Sequence, residues 1–547
     1  MSGPPFERAA MLERLEQETF DLLVIGGGIT GVGVTLDAAT RGLSVALVER
    51  DDFASGTSSK SSKLVHGGLR YLQQGDVRLV YQALRERQRL LRNAPHLVSV
   101  LPFLIPVLTK DGPVSKKIAK ALRSALWMYD LTGGLRIGKR HRRLDARQAL
   151  ARCPTMPTEK LSSGFVYYDA SADDARLTLT IARTAADHGA AVANRCDVVG
   201  FTRGGDGRID GARVDTGAGE ITVRASTVVA ATGVWADEVR SLDEGSDADT
   251  LRPAKGVHVT VPWDLVRNEI AVIISVPGDK RSLFLVPWIE RPGGGFDHCY
   301  IGTTDTDYVD GLDRPQTNDD DLDYVLGAVN HSLTTTITRD DVTGVWAGLR
   351  PLVKQAASGR TADLSRRHSI STSDSGLITV TGGKLTTYRE MAEDAVDLVV
   401  ATLGRRARCR TRRLRLVGAA APPPTVDRHL ARRYGSEAPR VLDLCDADPS
   451  LADPLVPGLR YVRAEAVFAV RHEMATTLID VLTRRTRAHL QDRGACLASA
   501  PAIAELLAPE LGWDDAEIAR QVDTYLALCD AELEAAIRTD PRHAEAT

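Results

Sequence analysis

At 547 residues the chain is too long for one ordinary hydrophobic core, so two or three domains are expected. Hydrophobic residues at 43% and charged residues at 26% suit a globular protein in water, and a net charge of -3 gives no electrostatic reason to expect a nucleic acid partner. Seven cysteines without a C-x-x-C pair spell neither a metal site nor a disulfide framework, which fits a reducing cytoplasm.

Residues 1–20 are too polar for a signal peptide, so none is expected. No stretch of about 18 or more apolar residues offers a transmembrane helix. The nearest candidate, Val98 to Leu108, carries Pro102 and Pro106 and reads as a buried strand. Residues 6–19 place Phe6, Ala9, Ala10, Leu12 and Leu15 among charges, the pattern of a short amphipathic helix that packs on the body.

The stretch Phe20 to Arg50 is the most informative. Leu22 to Ile25 is a short apolar strand. It runs into Gly26, Gly28 and Gly31 at G-x-G-x-x-G spacing, then into an apolar helix, a break at Arg41-Gly42, a second strand from Ser44 to Val48, and Glu49. Gly26 permits the sharp turn, Gly28 lets a pyrophosphate approach the backbone, and Gly31 lets the helix pack on the strand. The helix N-terminus offers N–H groups to phosphate, and Glu49 can accept from ribose hydroxyls. This is a dinucleotide-binding unit, and Glu49 disfavours the extra phosphate of NADP.

Asp51 to Leu72 follows, with a run of hydroxyls from Ser55 to Ser62 and then Leu64-Val65-His66-Gly67-Gly68-Leu69-Arg70-Tyr71. Hydroxyls and backbone N–H groups here can line a phosphate and a flavin ring. Residues 79–91 and 115–129 read as basic helices, and Lys139 to Arg143 adds a second basic cluster. Lys116, Lys117, Lys120 and Arg123 sit among Ile118, Leu122, Leu126 and Trp127. A solvated face and a contact with anionic lipid are both open readings.

Gly164 to Asp169 reads as a strand, and Asp173 opens a helix to Ala186. Strands follow over Val192 to Thr202, Ala212 to Asp215 and Glu220 to Arg224. Val228 to Gly233 reads as a parallel strand returning to the dinucleotide sheet, with Gly233 beside the cofactor. Residues 245–345 are strand-rich, which predicts an antiparallel or mixed sheet. Asn318 caps a helix to Leu333. A second strand–glycine–helix junction lies at Gly382-Gly383-Lys384. Gly418 to Pro424 is the clearest linker, and the chain beyond it is helical; its basic run Arg484-Arg485-Thr486-Arg487 reads as a solvated face.

Six motifs carry a resemblance: GGGITG at 26–31, SSKLVHGGLRYL at 61–72, KGVH at 255–258, IGTTD at 301–305, AGLRPL at 347–352 and GGKLTTYRE at 382–390. Together they resemble the FAD-dependent glycerol-3-phosphate dehydrogenases from about Asp21 to Val399, and the tail after Pro424 looks like that family's C-terminal domain. The resemblance implies an α/β fold with a Rossmann-like FAD-binding domain of the glutathione-reductase/D-amino-acid-oxidase kind, a β-rich substrate cap and a helical C-terminal domain. The expected boundaries are 20–95, 160–245 and 345–405 for the FAD domain, 96–159 and 246–344 for the cap, and 425–547 for the tail. It further implies FAD, sn-glycerol-3-phosphate as substrate, dihydroxyacetone phosphate as product and a quinone as acceptor. The family counterparts of Arg70, Arg350, Lys384, His66, Tyr71 and His258 surround the substrate.

The residues themselves suit that chemistry. Arginine forks suit a phosphate dianion, which singles out Arg70 and Arg350, with Arg366 as a further candidate. Lys384 can stabilise a developing alkoxide. A general base near neutral pH points to histidine, and His66 and His258 both qualify; Asp305 is a candidate to orient either. The expected cofactor contacts are Gly26, Gly28, Ile29, Thr30, Gly31, Glu49, Arg50, Thr57, Ser58, Ser59, Ser62, Lys63, Gly67, Gly68, Gly233, Gly383, Lys384, Leu385 and Thr386. A rival reading is an FAD-dependent glycerol-phosphate or amino-acid oxidase that uses oxygen; another is a flavin-binding protein without catalysis. The expected setting is a cytoplasmic homodimer, peripheral on the inner face of the cell membrane.

Overall fold

The computed structural model describes residues 6–69, 76–109, 114–115, 119–134, 137–246, 248–279, 281–354 and 368–537. Its centre is a six-stranded sheet ordered His368–Thr372, Ile378–Gly382, Val228–Ala230, Leu22–Ile25, Val45–Val48, Ala191–Ala193. The strands from Ile378–Gly382 to Ala191–Ala193 run parallel, and the central ones are apolar because helices such as Ile29–Thr40 pack on one face while a four-stranded sheet that includes Ile209–Asp215 and Glu220–Ala225 adds Ala212, Val214 and Val223 to the same core. The helices Ile29–Thr40 and Tyr388–Thr402 pack against each other through Gly33, where a Cβ would come within 2.8 Å of Tyr388. Val228 does return beside Leu23, parallel, as the apolar run before Gly233 predicts.

The helix at residues 6–19 forms as Arg8–Gln17 and buries Met11 and Leu15. Met11 escapes the sequence reading because it falls between the counted apolar positions. Asn318 caps Asp319–Ser332 with a reciprocal capping box to Asp321.

An eleven-stranded mixed sheet forms the second lobe. Its long path joins Leu251–Pro262, Phe296–Gly302, Ser282–Glu290, Ala271–Ser275, Val98–Leu108 and Leu161–Ala172. Alternation along Val98–Leu108 sends Phe103, Ile105 and Val107 into one apolar cluster and Leu104 into the other, so the sheet has a core on each face. Two expected boundaries need correcting. Leu161–Ala172 pairs along its length with Val98–Leu108, and Gly344–Val353 pairs with Leu251–Pro262, so both belong to the cap sheet and not to the FAD domain. A strand is assigned by the partner that takes its hydrogen bonds, and no local pattern names that partner.

The tail is less continuous than its periodicity suggests. Helix Arg463–Glu473 stops at Met474, which has φ 53, and Ala488–Gln491, Arg493–Leu511 and Asp515–Ile537 follow. Arg493–Leu511 is long and apolar enough to cross a membrane by length and composition, although no such stretch is expected from the sequence. Here it packs within the tail, burying Cys496, Ala500, Ile503, Ala504, Leu507 and Ala508. The basic run is also not a solvated face. Arg484, Arg485 and Arg487 are all buried. Their charges are met by Asp52, Asp174 and Asp480, two of which come from the FAD domain.

Candidate functional site

Leu22–Ile25 ends in a glycine turn whose Gly28 caps helix Ile29–Thr40 without a side chain. The first helical N–H, that of Ile29, donates to Ser58 Oγ at 2.9 Å, which ties the turn to the hydroxyl-rich segment. Gly31 is dictated by contact: a Cβ there would lie 1.9 Å from the Gly26 carbonyl oxygen. Glu49 is buried and accepts from the Gly27 N–H at 2.6 Å and the Asp51 N–H at 2.9 Å. Burial pushes its carboxyl up to about 7 despite those two donors.

A cavity of about 650 Å³ opens on this turn. Its wall gathers Gly26, Gly28, Ile29, Thr30, Glu49, Arg50, Thr57, Ser58, Ser62, His66, Gly233, His258, Arg350, Gly383, Lys384, Leu385 and Thr386, residues drawn from segments far apart in the chain. Other expected site residues stand off it. Gly31 is a packing residue behind the turn. Arg70, Tyr71 and Arg366 lie outside the described residues.

Ser59 and Lys63 face the protein instead of the cavity. Lys63 Nζ donates to the Ser59 carbonyl and to Asp174 Oδ1, both at 3.2 Å. Gly67 donates its N–H to Asp169 and Tyr129, and neither it nor Gly68 is among the described residues that line the cavity. The reason is common to all four: the segment 57–68 alternates between groups turned to the cavity and groups that anchor it, and a run of similar small residues does not show which is which. The Asp305 carboxylate accepts from Arg350 Nη1 at 3.0 Å, so it holds the arginine.

His258 sits on Leu251–Pro262, flanked by Gly302 on one neighbouring strand and Trp346 on the other. Its ring stacks on Trp346 at 4.8 Å and 7°. Gly302 makes the room, since a Cβ there would lie 2.2 Å from the imidazole. Nε2 meets Ser62 Oγ at 2.8 Å, while Nδ1 is buried with no hydrogen-bond partner among the described residues. Burial, then the charges of Lys63 and Arg350, hold the imidazole well below its ordinary pKa, so it is neutral near pH 7. Arg350 is fastened on both arms, Nη1 to Asp305 and the Lys255 carbonyl, Nη2 to Thr303 Oγ1 and the Thr304 carbonyl. Lys384 reaches the same cavity from the N-cap of the turn Leu385–Thr387 that leads into helix Tyr388–Thr402.

These groups fit FAD. A side-chain-free turn at a helix N-terminus suits a pyrophosphate, a buried carboxylate 21 residues beyond it suits ribose hydroxyls, and a buried imidazole nitrogen without a partner among the described residues suits a polar group of whatever fills the cavity. Sequence reasoning missed part of the wall. Lys60 lines the cavity, and burial, then the Arg484 charge, push its ammonium down to about 8. Its place inside the hydroxyl run is the signal that could have found it. Val198, Trp235 and Leu242 also line the cavity and carry no motif at all.

Residues 21–389 match the family described as FAD dependent oxidoreductase, and residues 404–518 match the C-terminal domain of alpha-glycerophosphate oxidase. Glycerol-3-phosphate dehydrogenase 2 of Mycobacterium tuberculosis is 42% identical, covering 97% of this chain and 91% of its own. The mitochondrial glycerol-3-phosphate dehydrogenase of Homo sapiens is 38% identical over 95% of this chain and 74% of its own. Among solved structures, the glycerol-3-phosphate dehydrogenase from Bacillus halodurans complexed with FAD superposes with a TM-score of 0.77 at 31% identity, covering 97% of each chain.

Proposed function

We propose that this chain, which belongs to the family of FAD-dependent glycerol-3-phosphate dehydrogenases, oxidises sn-glycerol-3-phosphate to dihydroxyacetone phosphate and delivers the electrons to a quinone. The carrying observation is that His258, Arg350 and Lys384, from three distant segments, line one cavity with the glycine turn. Bound FAD supplies the two-electron acceptor. The turn Gly26–Thr30 and Glu49 would hold it at the pyrophosphate and ribose, and Gly383, Lys384, Leu385 and Thr386 line the same cavity.

The protein's own work is charge and proton handling. A secondary alcohol that loses a hydride from carbon must also lose the proton on oxygen. When His258 donates its Nε2–H to Ser62 Oγ, Nδ1 keeps the lone pair that takes this proton. Its neutral state near pH 7 supports that role. His66 lines the same cavity and is the second candidate. Arg350 and Lys384 supply positive charge for the phosphate and the developing alkoxide. Arg70, Tyr71 and Arg366 join them on the motif resemblance alone.

The test is anaerobic. Glycerol-3-phosphate is expected to bleach the flavin of the purified holoprotein, while glycerol and lactate leave it yellow. A flavin that no added alcohol reduces overturns the reading. His258→Ala and His66→Ala then decide the base: the variant that loses the pH dependence of its reduction rate names it. The family of the tail favours one alternative acceptor, oxygen, since that domain is described from an oxidase. Stoichiometric hydrogen peroxide in air would favour it; electron transfer to a soluble quinone favours the dehydrogenase.

A quinone acceptor calls for contact with a membrane surface. Trp127, Met128 and Leu131 are exposed apolar side chains at 41%, 46% and 68%, and Arg140 lies 5.7 Å from the Trp127 ring. Exposed aromatic and aliphatic groups beside cations suit an anionic bilayer. Changing Lys116, Lys117, Lys120 and Arg123 to Glu is expected to abolish binding to anionic liposomes, and unchanged binding sinks this part.

A further inference from the structure

One residue of the tail reaches the segment that carries Ser62. Arg487 is buried, and its Nη2 donates to the Ser59 carbonyl and to Asp174 Oδ1, both at 2.6 Å. Lys63 Nζ donates to the same two oxygens. Asp174 Oδ2 in turn accepts from the Ser61 N–H at 3.0 Å and the Ser61 hydroxyl at 2.7 Å. The next residue is Ser62, whose Oγ meets His258 Nε2 at 2.8 Å and whose carbonyl accepts from Tyr300 at 3.0 Å. Hydrogen bonds from the tail therefore fix Ser59 and, through Asp174, Ser61, and the next residue along the backbone, Ser62, meets the imidazole.

The backbone at both ends of the clamp is costly. Lys63 has φ 54 and Arg487 has φ 79, left-handed values that side-chain-bearing residues adopt only where their surroundings impose them. Asp173 and Asp174 face Lys63 and Arg487, and Arg433 stands 3.8 Å from Asp173. Removing Arg487 leaves Asp174 with Lys63 as its remaining cation in a buried place and frees the Ser59 carbonyl from its stronger donor.

We propose that Arg487 is a positioning residue for the active site, fixing the Ser59–Lys63 segment so that Ser62 presents its hydroxyl to His258. The inference rests on the reading of this cavity as the FAD and substrate site. The tail is then a working part of that site and not only a covering domain.

The proposal separates from simple tail docking by a control. Arg183 also joins body to tail, through a two-pronged pair with Glu437 at 2.7 and 2.8 Å, but makes no contact with residues 59–63. The experiment compares holoprotein variants by FAD dissociation constant, read from flavin fluorescence. Arg487→Gln is expected to weaken FAD binding about tenfold, Ser62→Ala several-fold, and the double variant no more than Arg487→Gln alone, since coupled residues do not add. Arg183→Gln is expected to lower the melting temperature and leave FAD affinity within about twofold of the parent. Where glycerol-3-phosphate reduces the flavin, Arg487→Gln and Ser62→Ala are each expected to lower kcat about tenfold with KM nearly unchanged.

Multiplicative losses in the double variant overturn the proposal, as does an equal loss of FAD affinity in Arg183→Gln or no loss in Arg487→Gln. If Arg487→Gln yields no soluble holoprotein, Arg487→Lys replaces it in the same cycle, since one ammonium reaches one of the two oxygens. If glycerol-3-phosphate reduces nothing, the functional reading fails, while the FAD-affinity cycle, which needs no substrate, still decides this one.

Discussion

The glycine turn at Gly26–Gly31 and the basic run at Arg484–Arg487 both serve the same cavity, in opposite ways. The turn works through its own backbone: short strand, free N–H groups, and a helix packed on a residue five positions earlier. Everything it needs lies within a few residues. The basic run works through counter-charges far away in sequence. Arg485 donates to both oxygens of Asp52 at 2.6 and 2.8 Å, and Arg484 Nε donates to Asp52 Oδ2 at 2.6 Å. Asp52 stands three residues past Glu49, so the tail is bolted to the end of the dinucleotide unit. The lesson is that a charged stretch is a surface or a core depending on what the rest of the chain brings to it.

That contrast can be broken most severely at the turn. Gly31→Ala puts a methyl group against the Gly26 carbonyl, and the variant is expected to retain no FAD after gel filtration. A yellow, fully loaded protein would show that the turn tolerates what its geometry forbids.

The buried run comes next. Asp52→Asn leaves Arg484 and Arg485 facing a neutral amide, and is expected to cost about 3–5 kcal/mol in urea denaturation of the holoprotein. A loss near zero would restore the solvated-face reading. Against burial, Arg485 and Arg484 hold the Asp52 carboxyl well below its usual value. Its contribution is therefore present above the ordinary carboxylate pKa and is lost as pH falls through the depressed one.

A third test uses the tail's own histidine. His489 is buried between Tyr525 Oη, at 3.0 Å, and Glu532, at 3.1 Å. Burial opposes its charge, but the Glu532 carboxylate overrides this and raises it to about 9. Stability from this pair is complete below the unfolded histidine pKa of about 6.5 and is lost as pH rises through about 9. The holoprotein is expected to lose on the order of 1–3 kcal/mol between pH 6.5 and 9.5, and His489→Gln to flatten that dependence.

The smallest effect belongs to Glu49. Ribose hydroxyls are better held by its ionised form, and its carboxyl stands at about 7 before a ligand adds donors. FAD binding is expected to weaken a few-fold as pH falls from 8 to 6, with no such trend in Glu49→Gln. A flat profile in the parent protein would mean the ribose is held elsewhere.

Much of the fold was legible. Strand, turn and helix around Gly26, the parallel return at Val228, the strand Val98–Leu108 and the capped helix after Asn318 all rest on short-range rules of periodicity and capping. What escaped were partners. Leu161–Ala172 and Gly344–Val353 look alike as strands wherever they pair, and their place in the cap sheet is a matter of register across the whole molecule. Asp305 shows the same limit at the site: no local pattern names Arg350, 45 residues on, as a partner of its carboxylate.

The sequence by itself determined a dinucleotide unit, its family and the residue types that chemistry on a phosphate ester requires, because glycine spacing, helix starts and long motifs are contiguous. Only the tertiary structure decided which hydroxyls of 55–62 face the cavity, that Lys63 is an anchor, and that Arg487 reaches Ser59 across 428 residues. Burial of a charge depends on a counter-charge and on excluded water, and both are supplied by chain segments that no local pattern can name.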